Sequence, residues 1–480
     1  MTVMTTLAQV HAMLPGSHLL NISVKDAEKL ILSRVETDSR QIDSGELFIA
    51  LAGERFDAHD FLTDVAKSGA GAALVSDAKK CPNNLPAVCV SDTRLGLGDL
   101  AKAWRASHAI PLALVTGSNG KTTVKEMIAS IFKVAAGEAH TLVTTGNLNN
   151  EIGLPLTLLK LRSTDALAVV ELGMNHPGET AQLASIAQPN IALINNAQRE
   201  HQEFMQSVAA VAEEHADVIR ALPKNGIAVF PADSEFSDIW KAAAAGRKVI
   251  DFALTSSKPK AGLVVSGHQL SNGCVQINLG EHSIEVQLNT LGAHNVRNAL
   301  AASAVALAAG IPLEKIKQGL EVFTPVNGRM QIKFSDSKYT LIDDSYNANP
   351  DSVRAAIDAL KQSGGIAWLV LGDMGEVGNQ GPEFHREVGA YAADQGVAKL
   401  FALGEQSMFA VNGFDSIKNG SASSTDHFTI VENLITRLQE DLHTHLTGGN
   451  QHLYILVKGS RFMRMERVVQ ALLEEAKSCS

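Results

Sequence analysis

From about residue 110 onward, short apolar runs alternate with segments in which apolar residues recur every three or four positions. The short runs are typical of buried strands, and the second spacing places apolar side chains on one face of a helix. Regular alternation of strand and helix predicts a mostly parallel sheet with helices on both faces. The segment from Pro111 to Ala135 shows the pattern most clearly, with a strand, a glycine-containing turn and an amphipathic helix.

The same pattern divides the chain of 480 residues, which is too long for one hydrophobic core, into three segments. Residues 1–108 mix short strand-like runs with helical pieces, and residues 109–325 hold the long alternation, with a β-richer stretch before its last long helix. After Pro325 the alternation starts afresh and continues through residues 326–480. We therefore predict an α/β protein of three domains with these boundaries.

The turn between Pro111 and Ala135 has the composition of an anion site. This segment, called the phosphate turn below, consists of Gly117, Ser118, Asn119, Gly120, Lys121, Thr122 and Thr123. The N–H groups in the first turn of a helix lack partners within the helix, and glycines let a phosphate approach the backbone closely. Lys121 adds a positive charge, and Thr122 offers a hydroxyl to a phosphate-bound Mg²⁺. The regular nucleotide-loop spacing is missed, because its first glycine position is Val115, so a turn that only caps the helix is the alternative.

Polar side chains follow the next predicted strands, at the sheet edge where α/β proteins bind ligands. Glu171 ends an apolar run, and its carboxylate is either an oxygen ligand of the kind that Mg²⁺ takes or a surface acid. The amide-rich loop before it contains Asn147 and Asn150, which fit turn chemistry or ligand contacts. His201 lies in the loop after the run Ile191 to Ile194, and the residues alone favour an ordinary loop histidine over a ligand.

The third segment repeats this placement of polar residues at strand ends. The residues concerned are Asp344, Tyr346, Asn349, Lys458 and Ser460. Asn349 is followed by a proline, which is typical of an N-cap at the start of a helix. We expect this segment to act as a lid for the central site. In the first segment, Ser39 and Arg40 belong either to a solvated loop or to a clamp for a phosphate or carboxylate.

The composition limits the partners and the compartment. A formal net charge of −10 argues against a general affinity for nucleic acid. The four cysteines are scattered without metal-ligand spacing, which fits free thiols in a reducing compartment. The N-terminal residues lack a basic segment followed by an apolar run, and no stretch is long enough to span a membrane. We expect a cytoplasmic protein without membrane insertion.

Seven motifs, taken together and in this order, resemble the Mur ligase family over essentially the whole chain. They are TGSNGKTT at 116–123, GNLNNEIGLPLTLL at 146–159, ELGMNHPGE at 171–179, LGAHNVRNALAA at 291–302, DDSYNANPDS at 343–352, LGDMGEVG at 371–378 and VKGSRFMRME at 457–466. The last three resemble in particular the member that adds D-alanyl-D-alanine. The resemblance implies a small α/β N-terminal domain for a UDP-linked substrate, a central P-loop ATPase-like domain with a parallel sheet, and a mobile Rossmann-like C-terminal domain.

The resemblance also implies roles for individual residues. The phosphate turn, Asn295, Arg329, Asp344 and Tyr346 match positions that contact ATP, and Thr122, Glu171 and His201 match positions that hold Mg²⁺. Substrate contacts are implied for Ser39, Arg40, Asn147, Asn150, Asn349 and Ser460, and catalytic roles for Lys121, Glu171, His201 and Lys458.

At one position the chain departs from the family pattern. Many relatives carry there a lysine, carbamylated by CO₂, that helps to hold a second Mg²⁺. This chain has His215 instead, with Glu213, Glu214 and Asp217 around it. Three alternatives stay open: a neighbouring carboxylate replaces the carbamate, His215 binds the metal directly, or the second metal is held more weakly.

The implied activity is the ATP-dependent addition of D-alanyl-D-alanine to a UDP-N-acetylmuramoyl-tripeptide through an acyl phosphate, carried out by a monomer that uses Mg²⁺. One alternative is another ligase of the superfamily, such as a folylpolyglutamate synthase, which the three-domain length and the Ser39 and Arg40 module disfavour. Another is a nucleotide-binding regulator without ligase chemistry, which Lys458 and the acids at strand ends disfavour. A small-molecule kinase would leave a stable phosphorylated product and need no amine.

Overall fold

The computed structural model describes residues 3–53, 56–200, 205, 207–255, 262, 264–417, 423–448 and 451–478. These residues form three successive α/β units, each built around its own largely parallel sheet. The predicted fold class is confirmed. Within the same residues, no helix combines the length and the apolar character needed to cross a membrane.

The first unit contains a five-stranded sheet in the order β2-β7-β6-β5-β4 and a separate pair, β1 and β3. Its elements are β1 (Thr5–Thr6), α1 (Leu7–Ala12), β2 (His18–Leu20), α2 (Val24–Ala27), β3 (Ile31–Leu32), β4 (Val35–Glu36), β5 (Leu47–Ile49), a 3₁₀ turn (Ala58–Phe61), α3 (Leu62–Lys67), β6 (Ala72–Val75), β7 (Ala87–Cys89) and α4 (Thr93–Ala106). Strands β4 to β7 are parallel, and β2 pairs antiparallel with β7.

The described part of the central unit forms a nine-stranded sheet in the order β16-β15-β14-β13-β12-β11-β8-β10-β9. Its elements are β8 (Leu112–Thr116), α5 (Lys121–Ala136), a 3₁₀ turn (Glu138–His140), β9 (Thr141–Val143), α6 (Gly153–Leu158), β10 (Leu167–Glu171), α7 (Glu179–Ala187), β11 (Ile191–Ile194), α8 (Val208–His215), α9 (Asp217–Arg220), β12 (Ile227–Pro231), α10 (Ser237–Ala244), β13 (Lys248–Leu254), β14 (Val265–Gln269), β15 (Val275–Leu279), β16 (His282–Val286), α11 (Ala293–Ala308) and α12 (Leu313–Glu321). Strands β8 to β14 run parallel, and an antiparallel meander of β14, β15 and β16 closes one end.

The described part of the third unit forms a six-stranded sheet in the order β17-β18-β22-β19-β20-β21. Its elements are β17 (Gln331–Ser335), β18 (Tyr339–Asp344), α13 (Pro350–Gln362), β19 (Ile366–Gly372), a 3₁₀ turn (Gly378–Gln380), α14 (Gly381–Asp394), β20 (Lys399–Leu403), α15 (Ser407–Ile417), β21 (Ser424–Phe428), α16 (Val431–Gly448), β22 (Leu453–Lys458), a 3₁₀ turn (Arg461–Met463) and α17 (Glu466–Ser478). Strand β17 is antiparallel to β18, and the other pairs are parallel.

The central sheet buries both of its faces, which is why β8 reads as a continuous apolar run. Leu112 and Leu114 face one core together with α4, α6 and α7, while Ala113 and Val115 face a second core with α5 and α11. The two-residue period of a strand separates these sets. The first core also contains Leu97 and other side chains of α4, so the first unit packs on the central one through apolar contacts.

Two predicted helices differ from the structure in detail. The hydrophobic pattern from Val208 to Leu222 predicts one helix, but the structure divides this segment into α8 and α9 at Ala216, whose N–H is shared between the carbonyl oxygens of Ala212 and Glu213. The pattern predicts a helix from Val296 to Ala309, with Asn295 before it as a cap or a ligand contact. Helix α11 begins three residues earlier, after Gly292, so Asn295 lies inside its first turn.

Candidate functional site

A cavity of about 1240 Å³ lies at the carboxyl ends of β8, β10 and β11, between the central and third units. Fifteen of the residues singled out from the sequence line it: Ser118, Asn119, Gly120, Lys121, Thr122, Thr123, Asn147, Asn150, Glu171, Asn295, Arg329, Asp344, Tyr346, Asn349 and Lys458. They come from both units, so the cavity exists only while the third unit packs against the central one.

The phosphate turn requires glycine at two positions. Gly120 has φ +78°, and a Cβ there would lie 2.7 Å from Oδ1 of Asn298. Gly117 has φ +138°, and a Cβ there would lie 3.0 Å from the backbone nitrogen of Asn196. Both conformations are strained for other residues. The turn is thus pressed against a layer of asparagine side chains, with its backbone close to the start of α5.

That layer holds the turn through hydrogen bonds. The side-chain amides of Asn195 and Asn196 donate to the carbonyl oxygen of Asn119, at 2.8 and 2.9 Å. Asn195 also donates to Asn298 at 2.9 Å, and Asn298 donates to Oδ1 of Asn295 at 3.0 Å. The network connects the turn to the first residues of α11 and keeps the backbone of the turn in place.

Lys121 folds back over the turn. Its Nζ donates to the carbonyl oxygens of Gly117 and Ser118, at 2.5 and 3.2 Å, and lies 3.3 Å from Oε2 of Glu200. Lys121 and Glu200 are mostly shielded from water, with 17% and 6% of their side-chain surfaces exposed. A full positive charge is therefore held at the anion-binding end of α5, where the helix dipole also favours anions.

Glu171 presents a carboxylate with one free side. Its Oε1 accepts hydrogen bonds from Oγ1 of Thr122 at 3.2 Å and from Nδ2 of Asn149 at 2.8 Å. Its Oε2 is buried and has no hydrogen-bond partner among the described residues. A buried, unpaired carboxylate oxygen is costly, and a hard cation with oxygen ligands would satisfy it. Glu171 and Thr122 therefore fit a Mg²⁺ site.

His215 lies behind this site and is buried. Its Nδ1 is 3.2 Å from Oγ1 of Thr116, and its Nε2 is 3.0 Å from Oε1 of Glu200, so both ring nitrogens are hydrogen bonded. The acids around it in the sequence have other partners. Glu214 accepts from the backbone N–H groups of Gly178 and Thr180, while Glu213 and Asp217 pair with Arg220.

The third unit contributes Arg329, Lys361 and Lys458 to the lining of the cavity, and Arg329 and Lys458 contact polar groups there. Arg329 stacks over the ring of Tyr346, with its guanidinium carbon 4.2 Å from the ring centroid, and donates to Oγ1 of Thr122 at 3.0 Å. Its Nε is buried without a hydrogen-bond partner among the described residues. Lys458 donates to Oδ2 of Asp344 at 2.6 Å and to the carbonyl oxygen of Asn347 at 2.8 Å.

The pKa of His294, a residue that lines the cavity, departs from its ordinary value. Burial lowers the pKa of His294, the nearby Asp344 opposes that effect, and the Lys458 ammonium adds to it. The neutral imidazole is thus favoured at this wall of the cavity.

Two predicted residues serve the scaffold. Asn349 caps α13 by accepting from the backbone N–H of Ser352 at 2.8 Å, and its amide donates to Oδ1 of Asn119 at 2.9 Å across the two units. Ser460 is buried, where its hydroxyl accepts from the N–H of Gly375 at 2.7 Å and donates to the carbonyl oxygen of Ala348 at 3.0 Å. Both side chains fix loops that line the cavity.

Other predicted residues lie elsewhere. Ser39 and Arg40 are in the loop after β4, away from the cavity, and Arg40 forms a bidentate pair with Asp38 on the surface. Gly117, the first residue of the turn, is not among the residues that line the cavity, and His201 falls outside the described residues. Among the residues that are described, no group of three or more His, Cys, Asp or Glu side chains could hold a metal ion.

The structure also brings in residues that the sequence reasoning did not select. They are Asn149, Asn195, Asn298, Arg199 and Glu200. Asn149 belongs to the same amide-rich loop as Asn147 and Asn150, but the sequence pattern does not show which of the three asparagines faces Glu171. Glu200 lies next to His201 in a polar loop, and only the folded arrangement shows that it meets Lys121.

The site combines a phosphate turn, a carboxylate that fits a cation, and a second α/β unit across a shared cavity. These features are typical of an enzyme that acts on a phosphorylated ligand. The chain matches the models of the Mur ligase family catalytic domain at residues 32–105, the Mur ligase middle domain at 115–306 and the Mur ligase glutamate ligase domain at 328–461.

Curated and solved relatives agree with these matches. The chain is 40% identical over 460 residues to the UDP-N-acetylmuramoyl-tripeptide–D-alanyl-D-alanine ligase of Escherichia coli (strain K12), covering 95% of this chain and 97% of the relative. The crystal structure of MurF from Acinetobacter baumannii superposes with a TM-score of 0.86 at 33% identity, covering 98% of this chain and 99% of that one. MurF ligase from Thermotoga maritima, solved in complex with ADP, gives a TM-score of 0.79 at 25% identity, covering 93% and 98%. The chain belongs to the Mur ligase family and is an ATP-dependent peptide ligase.

Proposed function

We propose that the chain adds D-alanyl-D-alanine to a UDP-N-acetylmuramoyl-tripeptide at the expense of ATP, giving the pentapeptide precursor of peptidoglycan. Its relatives over nearly the whole chain are named for this reaction. The observation that carries the proposal is the cavity shared by the phosphate turn of the central unit and by Arg329 and Lys458 of the third. We propose domain boundaries after residues 108 and 325, a cytoplasmic location and a monomeric state.

ATP is proposed to bind with its phosphates on the turn from Gly117 to Thr123. The T. maritima relative was solved with ADP, which supports a nucleotide at the equivalent place. The start of α5, the Lys121 ammonium and the unpaired Nε of Arg329 supply positive charge on this side of the cavity. Asn295, Asp344 and Tyr346 are proposed to contact the nucleotide from the opposite walls.

Thr122 and Glu171 are proposed to hold Mg²⁺ with His201, because one buried oxygen of Glu171 has no partner within the part of the chain that the structure describes. When bound, Mg²⁺ would neutralise phosphate charge and orient the terminal phosphate. For His215 we propose a positioning role: both of its ring nitrogens are engaged, and one of them orients Glu200.

The chemistry requires activation, because a carboxylate is a poor electrophile. The terminal carboxylate of the tripeptide attacks the γ-phosphorus of ATP, forming an acyl phosphate and releasing ADP. The amine of D-alanyl-D-alanine then attacks the acyl carbon, and the tetrahedral intermediate collapses to the amide and inorganic phosphate with loss of the proton from the amine. Phosphoryl transfer depends mainly on positioning and on neutralising charge.

The residues of this chain serve these steps as follows. Lys121 and Arg329 reduce the repulsion between the attacking carboxylate and the phosphates, since both lie at the phosphate end of the cavity. Lys458 is proposed to face the acyl phosphate or the incoming dipeptide. Packing of the third unit over the turn excludes water, which would otherwise hydrolyse the acyl phosphate. We propose contacts with the UDP-linked substrate, or with the loops around it, for six further residues: Ser39, Arg40, Asn147, Asn150, Asn349 and Ser460.

The test is release of inorganic phosphate from ATP by the purified chain. We expect release only when a UDP-N-acetylmuramoyl-tripeptide and D-alanyl-D-alanine are both present, with one amide formed for each phosphate. Release with the tripeptide alone, or a stable phosphorylated product, would point to a kinase or a regulator. A preference for glutamate as the amine would point to another ligase of the superfamily.

A further inference from the structure

Arg199 lies in the loop after β11 and makes a set of ion pairs with the third unit. Its Nη2 donates to Oδ1 of Asp351 at 2.6 Å, and its Nη1 donates to Oε2 of Glu387 at 2.7 Å. Its backbone N–H also donates to Oδ2 of Asp351 at 2.9 Å, and its guanidinium lies over the ring of Phe384. One side chain of the central unit is thus bound by two helices of the third, by the start of α13 and by the middle of α14.

These ion pairs are partly shielded from water, which strengthens their contribution to the contact between the two units. The exposed fractions of the side chains are 22% for Arg199, 21% for Asp351 and 32% for Glu387. Bidentate arginine–carboxylate pairs are stronger and more directional than exposed lysine pairs. The Arg199 guanidinium also lowers the pKa of Glu387, which keeps this carboxylate ionised.

The residues on either side of Arg199 bind the phosphate turn. Gln198 accepts from Nδ2 of Asn119 at 2.7 Å, and its backbone N–H donates to Oγ of Ser118 at 2.9 Å. Glu200 is the residue whose Oε2 lies 3.3 Å from Nζ of Lys121. Three consecutive residues therefore contact the turn, then the third unit, then the turn again.

We propose that Arg199 is a positioning residue that fastens the third unit onto the central one and sets Gln198 and Glu200 against the phosphate turn. The position of the third unit is thereby coupled to the position of Lys121. The coupling needs no ligand contact by Arg199 itself. The kinetic part of its test rests on the proposed function, whereas the structural part does not.

The chain offers a matched control for this ion-pair cluster. Arg354 of α13 also donates to Glu387, at 2.8 Å, and stacks over Tyr391, but all three residues belong to the third unit. Arg354→Met therefore removes an arginine from the same carboxylate without removing a contact between units. Arg199→Met removes the contact between units, and Arg199→Lys restores a charge without the bidentate geometry.

Small-angle X-ray scattering of the full chain, with and without ADP and Mg²⁺, measures the packing of the units. We expect Arg199→Met to have a larger radius of gyration than wild type and Arg354→Met, and Asp351→Asn to shift it in the same direction. Thermal unfolding of each variant verifies that it is folded. An Arg199→Met profile that matches wild type, or an equal expansion in Arg354→Met, would overturn the proposal.

Phosphate release supplies the second measurement. We expect Arg199→Met to lower kcat by about tenfold to a hundredfold, as misplaced catalytic groups do, with a smaller change in KM for ATP and partial recovery in Arg199→Lys. Arg354→Met is expected to retain wild-type kcat. If Arg199→Met is expanded in scattering but turns over normally, the coupling to Lys121 is wrong. If the wild type itself releases no phosphate, the proposed function fails, and the scattering result still decides the fastening role.

Discussion

Nε2 of His215 lies 3.0 Å from Oε1 of Glu200, and both side chains are buried. The other ring nitrogen, Nδ1, lies 3.2 Å from Oγ1 of Thr116, so both nitrogens of His215 have hydrogen-bond partners. The second oxygen of Glu200 faces Lys121. A histidine and a glutamate together thus place one oriented carboxylate beside the phosphate turn.

The relationship predicts coupling in stability between the two residues. His215→Phe removes one hydrogen-bonding partner from the buried Glu200 carboxylate, which we expect to lower the free energy of unfolding by about 1–3 kcal/mol. Urea denaturation measures this loss. The Glu200→Gln and His215→Phe double variant should lose less than the sum of the single losses, because the two side chains share one interaction. Additive losses would show that the pair is not coupled.

The same pair predicts independence from CO₂. Glu200 places a carboxylate next to Lys121, and a histidine cannot carry the carbamate that a lysine does, so we infer that the site works without a carbamate at the position of His215. We expect phosphate release in CO₂-depleted buffer to proceed at the rate seen with added bicarbonate. Turnover that disappears on depletion and returns with bicarbonate would show that a modified lysine elsewhere in the chain is required.

Lys121→Ala is expected to reduce kcat by roughly a hundredfold or more, the scale on which preorganised charge stabilisers act. The ammonium is held at the start of α5 by two turn carbonyls and Glu200, so its position is set before substrates bind. Lys133→Ala, on the exposed last turn of the same helix, is the control and should leave kcat unchanged. Near wild-type turnover in Lys121→Ala would remove the turn from the mechanism.

Glu171→Gln tests the proposed Mg²⁺ site. The substitution removes the negative charge at the buried oxygen that has no hydrogen-bond partner among the described residues, and we expect cation affinity to fall at least about tenfold. Electron paramagnetic resonance titration of Mn²⁺ with ADP present reports binding without turnover. Glu314→Gln, at the exposed start of α12 and away from the cavity, is the control. Equal Mn²⁺ affinity in Glu171→Gln and wild type would assign the cation to other ligands.

The parts of the site that could be predicted are those with local causes. The strand, turn and helix from Pro111 to Ala135 follow from hydrophobic period and glycine placement, and Asn349 with its proline caps α13 as predicted. The prediction that Glu171 ends a strand is confirmed, because strand length and sheet direction set its position.

The parts that could not be predicted depend on side-chain direction and on packing between units. Neighbouring asparagines in one loop look equivalent in sequence, yet Asn149 contacts Glu171 while Asn150 bonds the backbone of Gly153. Arg199 is an ordinary loop arginine until α13 and α14 are brought to it. The acids near His215 in the sequence were plausible partners for it. In the structure, Glu213 and Asp217 pair with Arg220, and Glu214 accepts hydrogen bonds from the start of α7.

His385 predicts a pH dependence of stability. It is fully buried in α14, where Nε2 accepts from the N–H of Met374 at 2.9 Å and Nδ1 lies 2.7 Å from the carbonyl oxygen of Gly381. Burial lowers the pKa of His385 below its ordinary value of 6.5, an effect that outweighs the opposing influence of the Gly381 carbonyl and of Asp373. Protonation of Nε2 would also end its bond to Met374, so the folded chain keeps this imidazole neutral.

In the unfolded chain His385 therefore binds a proton near pH 6.5, whereas in the folded chain it binds this proton only at lower pH. The stabilisation due to neutral His385 is fully present above pH 6.5 and is lost as the pH falls from there towards the lowered pKa, at a limit of about 1.4 kcal/mol per pH unit. We expect His385→Gln to be less stable than wild type at pH 7.5 but to lose less stability between pH 7.5 and 5.5, with His294 accounting for part of the remaining slope. Urea unfolding at half-unit intervals measures both slopes, and parallel lines for the two proteins would exclude His385 as a source of acid sensitivity.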